Sequence, residues 1–358
     1  MRQLVLAAVV LGFGPSLSVE TLNSVGALPA HLAGRIEEMT ACEQAADGQF
    51  FIFDRRSHTV YAVAPSHDRM REIIQIGAER GRVLRPTAFD LADDGTFVVA
   101  DAPGNRGRVQ VFHVSGATLG GFTLAARESP LIVLDGQVMS GVGSLEYTGR
   151  SVLISQPENG ALVTEYALDG STIRTFGALR PTGQEHDPPV HLALNAGAVV
   201  VNPSGGYYYV FLAGRPMFRK YDEGGGLLFE RHVEGRELDS YIRSLPTSWQ
   251  RKTVAQGGEL PVVRPAIRAA AADSAGNLWL ALAAPYTYVY DAEGDKRRTV
   301  QFRAAGVVSP TSMAFTRKGQ ILIAPGCFLF PGSPPEQAGK RPARSLSPPR
   351  RARPRPGT

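Results

Sequence analysis

Residues 86–114 read PTAFDLADDGTFVVADAPGNRGRVQVFHV, and the punctuation of this stretch decides the fold. A first run (86–93) meets Asp94-Gly95, a pair suited to a tight hairpin because glycine accepts positive φ. TFVVAD (96–101) follows, then RVQVFHV (108–114) and LGGFTL (119–124). Short β-rich runs separated by turn residues read as one antiparallel sheet of four strands.

The order recurs along the chain. Gly48, Gly95, Gly149, Gly197, Gly276 and Gly319 precede the runs QFFIFD, TFVVAD, RSVLIS, AVVVNP, NLWLAL and QILIAP, at intervals of 47, 54, 48, 79 and 43 residues. Recurrence near that period marks a propeller-like array. Small residues in RAAAAD (268–273) suit an inner strand crowded around a channel. The expected architecture is an all-β, six-bladed β-propeller over residues 19–330. The long fourth interval implies an insertion (234–262). In it Leu238, Tyr241, Ile242 and Leu245 have helical spacing ahead of Pro246. After QILIAPG (320–326) no third or fourth strand is legible, so the sixth blade is expected to be incomplete. SVETLNSVG (18–26) is the candidate strand for closing the ring.

Composition fits a folded chain: 358 residues, 43% hydrophobic and 20% charged. Residues 331–358 carry seven basic residues against Glu336 alone, while the whole chain is only +5. The body is therefore near neutral, which gives no support for a nucleic-acid face. That tail, rich in Pro and Arg, is expected to be disordered. Residues 1–18 have the form of a signal peptide, with Arg2, an apolar stretch (4–14) and small residues up to Ser18. The stretch is too short to span a bilayer. The expectation is a secreted or periplasmic, monomeric protein without a membrane span. Cys42 and Cys327 fall in the first and last repeats, and export permits a bridge; the sequence leaves their pairing open.

The stretch DAPGNRGRVQVF (101–112) resembles the NHL repeat, with Asp101 ending one strand, Asn105 in the turn, and Arg108 to Phe112 as the next strand. FDRRSHTVYAV (53–63) keeps Asp54 but not the asparagine. The resemblance to NHL-like six-bladed propellers implies a binding or scaffolding module, often secreted in bacteria. Asp101 and Asn105 read as turn residues bonding to backbone.

Two kinds of site are candidates. His186, Asp187 and His191 are residue types that hold zinc or calcium; the plainer reading is an exposed loop. Their setting weakly resembles the metal site of an NHL-type amidating lyase. Glu37, Glu146, Asn195 and Asp273 lie near first-strand positions, as the channel carboxylates of a lactonase propeller would. Tyr207 and Tyr209, with Trp249 in the insertion, form a candidate ligand platform; alternate tyrosines also suit a strand packed between blades. The leading reading is a module recognising a protein, peptide or glycan. The alternatives are a metal-dependent lyase or lactone hydrolase using the channel, with a divalent metal as its only implied cofactor, and an inactive truncated propeller.

Overall fold

The computed structural model describes residues 18–103, 106–124, 144–253 and 259–332, with the backbone of 132–134 and 137–139. The expected signal peptide up to residue 17, Asn105 and the tail from 333 lie outside the described residues. Six sheets form the blades, each a meander whose first strand lies innermost. Blade 1 comprises Met39–Gln44, Phe50–Asp54, Thr59–Val63 and Met70–Glu72. Blade 2 comprises Ala88–Leu91, Thr96–Asp101, Arg108–His113 and Thr118–Thr123. Blade 3 comprises Leu145–Tyr147, Ser151–Ser155, Val163–Ala167 and Thr172–Phe176. Blade 4 comprises Gly197–Val201, Tyr207–Phe211, Met217–Tyr221 and Leu227–His232. Blade 5 comprises Ile267–Ala272, Leu278–Leu282, Thr287–Tyr290 and Lys296–Arg303. Blade 6 has three strands among the described residues, Ser312–Phe315, Ile321–Ala324 and Phe328–Phe330.

The second strands are apolar without alternation because both faces are covered by neighbouring blades. Leu278–Leu282 is buried throughout, whereas the outer Leu227–His232 is almost wholly exposed. Each seam between neighbouring blades has its own apolar cluster. Phe51, Phe53, Phe89 and Phe97 fill the seam of blades 1 and 2, and Tyr208, Phe218, Leu280 and Tyr290 that of blades 4 and 5. The hairpin turn of blade 2 needs its glycine, since Gly95 stands at φ +82°.

Ring closure uses both chain ends. Val19–Asn23 pairs in parallel with the outer strand of blade 5, from Val19 opposite Thr299 to Asn23 opposite Arg303. The chain then reaches blade 6, where Val25 N–H donates to Leu329 O and Leu329 N–H to Gly26 O, both at 2.8 Å. Leu28 and Leu32 are buried with Ile52 and Leu322 in the seam of blades 6 and 1. There Cys42 and Cys327 are joined by a disulfide with Cα atoms 5.6 Å apart.

Three sequence expectations are corrected. Blade 6 does have a third strand, Phe328–Phe330, too short to stand out in the sequence. Gly197 opens the inner strand of blade 4 rather than turning into its second strand; the turn lies at Gly205 and Gly206, both at positive φ. Asn195, expected near a first-strand position, instead ends a helix, Pro188–Asn195. The insertion holds its helix, Asp239–Arg243, and also two strands, Arg251–Thr253 and Glu259–Val263. The latter pairs in parallel with Ile132–Leu134, from the link between blades 2 and 3. In a meander every outer-to-inner link leaves from the same end of the ring, so this extra sheet and the helix Pro188–Asn195 share one face. No described helix is long and apolar enough to cross a membrane.

The disulfide encloses a loop with a sequence separation of 285 residues. Loops that long sit at the upper end of disulfide stabilisation, so Cys42→Ser/Cys327→Ser should lose about 4 kcal/mol in denaturant unfolding. An unchanged midpoint would mean that the noncovalent seam alone holds the ring shut.

Candidate active site in the axial channel

Where the six inner strands cannot approach further they leave an axial cavity of about 350 Å³, walled by residues from every blade. Its wall repeats. Counted back from the hairpin glycines Gly48, Gly95, Gly276 and Gly319, the eighth residue is Thr40, Thr87, Arg268 and Thr311. The fifth is Glu43, Asp90, Ala271 and Ala314. Blade 3, whose turn is shorter, supplies Ser144 and Glu146. Thr40 and Arg268 each sit at a break in register between the first and second strands of their blades. Such bulges re-aim a side chain.

Glu43, Asp90 and Glu146 therefore come from three consecutive blades and line one cavity. Each reaches the inner strand of the next blade. Leu91 N–H donates to Glu43 Oε2 at 3.0 Å, Tyr147 N–H donates to Asp90 Oδ2, and Val201 N–H donates to Glu146 Oε1 at 2.8 Å. Ser144 Oγ accepts from Val199 N–H at 3.3 Å in the same manner. These bonds stitch adjacent inner strands and fix the direction of the acids.

The residues are half-buried, with their carboxyl groups enclosed by the ring. Burial, and then the neighbouring Asp90 charge, push Glu43 and Glu146 well above the usual carboxylate range. Burial lifts Asp90 to about 7, although N–H bonds from Tyr147 and Leu91 favour its charge. Asp54 shows the contrast. Burial opposes its charge too, but the Ser57 hydroxyl and the N–H groups of Glu37, Ser57 and Glu38 outweigh it and hold the carboxyl below its ordinary value. Asp54 and Asp101 tie the links that enter the inner strands, Asp101 accepting from Leu84 N–H at 3.0 Å and from Arg108.

The residues singled out from sequence lie elsewhere. His186 is exposed, Asp187 pairs with Arg251, and His191 Nδ1 meets Thr182 Oγ1 at 2.7 Å. All three stand at the start of the helix Pro188–Asn195 and none lines the cavity. Tyr209 is fully buried and its hydroxyl donates to Asn195 O at 2.6 Å. Tyr207 accepts from Arg174 at 3.0 Å, and Trp249 packs beside Val190, Leu194 and Val263. Of the four lactonase-type candidates only Glu146 reaches the channel. Glu37 pairs with Arg56, Asn195 caps Arg180 N–H, and Asp273 binds turn N–H groups and Trp279 Nε1. Glu43 and Asp90 were not among the candidates, although the shared spacing to Gly48 and Gly95 marks them.

No protein-family model matches this sequence, and no curated protein matches it either. Among solved structures the chain is similar to virginiamycin B lyase from Staphylococcus aureus, at 10% identity and a TM-score of 0.50, covering 82% of this chain and 96% of that one. That likeness is one of fold. A gluconolactonase from Xanthomonas campestris is 12% identical with a TM-score of 0.47, covering 88% and 97%. The calcium-binding protein regucalcin from Agrobacterium tumefaciens is 13% identical with a TM-score of 0.47, covering 87% and 95%.

An acid with a raised folded-state pKa stabilises the fold fully only below its unfolded value, and that stability is lost as pH rises through the folded one. For Asp90 the window runs from the ordinary carboxylate range up to about 7. Asp90→Asn keeps the acceptor oxygen and removes the penalty. Calorimetry should show its Tm rising by a few degrees at about pH 8 and less at about pH 5. Equal shifts at both would mean that Asp90 titrates as an ordinary carboxylate.

Proposed function

We propose that the protein acts on a small polar molecule held in the axial channel, and that Glu43, Asp90 and Glu146 handle its protons. The observation that carries this reading is the convergence of three carboxylates from three blades on one cavity of about 350 Å³. Blade packing does not require them, since blades 5 and 6 close with Ala271 and Ala314 at the equivalent position. Crowded, dehydrated acids weaken the fold, and such groups in a cleft mark a candidate functional site. Acids whose proton affinities differ can divide the work, one donating a proton to a leaving group and another accepting one. Hydrolysis and elimination are the reaction classes this serves.

A divalent metal fits the present arrangement poorly. Glu43 and Glu146 each spend one oxygen on a backbone N–H and Asp90 spends both, and no three His, Cys, Asp or Glu side chains converge on a metal position among the described residues. Export to an oxidising compartment is part of the same reading, supported by the apolar stretch 4–14 and the Cys42–Cys327 bridge. Kinship with NHL propellers is supported by Asp101 and the strand Arg108–His113.

Docking of a protein partner is a second reading, and one observation favours it. Leu119, Ile173 and Leu228 stand at the register shifts of the outer strands of blades 2, 3 and 4, each 53–56% exposed. Three aliphatic side chains are thus presented to solvent at one repeated position of neighbouring blades.

Proton release from a panel of lactones and β-substituted carboxylic acids tests the first reading. Turnover should fall roughly 100-fold or more in Asp90→Asn while its melt stays cooperative. Turnover indifferent to Asp90→Asn and Glu43→Gln would move the chemistry out of the channel.

A further inference from the structure

Five blades turn from first to second strand in the same way. The N–H groups of Gly48, Gly95, Gly205, Gly276 and Gly319 each donate to the carbonyl three residues earlier, at 2.8–3.4 Å. The residue after that carbonyl is Ala46, Asp93, Pro203, Ser274 and Arg317 respectively. Two of the five are charged, with opposite sign, and they meet. Arg317 Nε donates to Asp93 Oδ1 at 3.2 Å and Arg317 Nη2 to Asp93 O at 3.1 Å. They belong to blades 6 and 2, which are not neighbours, since the inner strand of blade 1 lies between theirs. In a ring the straight line from blade 6 to blade 2 passes between blade 1 and the axis, and an arginine that makes both bonds has no length for a detour. Ala46, the counterpart in blade 1, leaves the path clear. All these turns lie at the end of the ring opposite the outer-to-inner links. The cavity wall reaches Ala272 and Phe315, four residues before their glycines, and the pair stands two residues further out. It therefore spans the turn-side mouth of the channel.

We propose that the Arg317–Asp93 pair is a latch across this mouth and sets the size of molecule that reaches the channel acids from the turn side. Its part in selecting substrates rests on the reading of the channel as the functional site. The pair has the properties of a latch rather than of a plug. Its side chains are 55% and 85% exposed, so water competes for both ends and the open state is well populated. Salt screens an exposed pair and opens it further. Two bonds to one residue hold the guanidinium in one place while it is closed. Small molecules pass beside it, and bulky ones wait for it to open. The turn backbone needs neither charge, because alanine, proline and serine serve at the same position in blades 1, 4 and 5.

Thiol labelling of the full chain tests this with a cysteine placed in the channel wall. Ala272→Cys puts the thiol at a half-buried position on the turn side, to be labelled by N-methylmaleimide or by the bulkier N-pyrenylmaleimide. Arg317→Ala should speed the pyrenyl reagent about threefold, the scale set by an exposed ion pair, and leave the methyl reagent unchanged. Added salt should speed the pyrenyl reagent while the pair is present and not after Arg317→Ala. Asp93→Arg alone should label as fast as Arg317→Ala, and the exchange Asp93→Arg/Arg317→Asp should return the slow rate. Thr311→Cys, at the other end of the channel, should be indifferent to all of these changes. A pyrenyl rate unmoved by Arg317→Ala, an equal gain for both reagents, an equal gain at Thr311→Cys, or no recovery in the exchange overturns the latch. Labelling reads access and not turnover, so the latch can fail while the chemistry of the channel acids stands, and the reverse.

Discussion

Every blade has two apolar faces, and only another blade can cover them. Four-stranded sheets of this kind are stable in a row only if the row closes, because each open end exposes an apolar face. The seam between blades 6 and 1 therefore governs the molecule. It is held by the Cys42–Cys327 bridge, by Leu28 and Leu32 laid over it, and by an N-terminal segment that pairs first with blade 5 and then with blade 6. The channel exists only as the space inside that closed ring. Glu43 follows Cys42 directly in the sequence, so the first acid stands on the strand that the bridge anchors.

Much of the architecture was legible because one turn chemistry repeats. Gly48, Gly95, Gly149, Gly276 and Gly319 all adopt positive φ, and the apolar runs after them are the buried second strands. Blade 4 misled for a physical reason. Val190, Leu194 and Val199 are all buried, so helix and strand share one apolar stretch. The deciding signal was Pro188-Pro189, since proline fits the first turn of a helix and fits a central strand badly. The short third strand of blade 6 escaped notice because Phe328–Phe330 offers too few residues for a period to show.

The site was harder to read than the fold. His186, Asp187 and His191 drew attention because they are close in sequence, yet Asp187 and His191 each find a local partner and His186 is exposed. The channel acids are far apart in sequence and come together only through the ring. What links them is register. Two of them stand five residues before a turn glycine, and Glu146 stands three before Gly149 because its turn is shorter. Residue type alone does not separate a working acid from a structural one either. Asp54, Asp101 and Asp273 are as buried as any, but each is surrounded by donors that favour its charge. Glu43 and Glu146 have a single backbone donor each and a neighbouring acid.

A ring of six equivalent strands can give the channel no direction by itself. Direction comes from breaking the equivalence at two positions of the repeat. Eight residues before the turn, threonine stands in blades 1, 2 and 6 while arginine stands in blade 5. Five residues before it, an acid stands in blades 1 and 2 while alanine stands in blades 5 and 6. Neither choice disturbs the seams, because the inner-strand residues packed in them, such as Phe89 and Ile267, stand at other positions of the repeat. The scaffold can therefore hold its shape while the inner strands vary, and the polarity of the channel is a property of this chain rather than of the propeller.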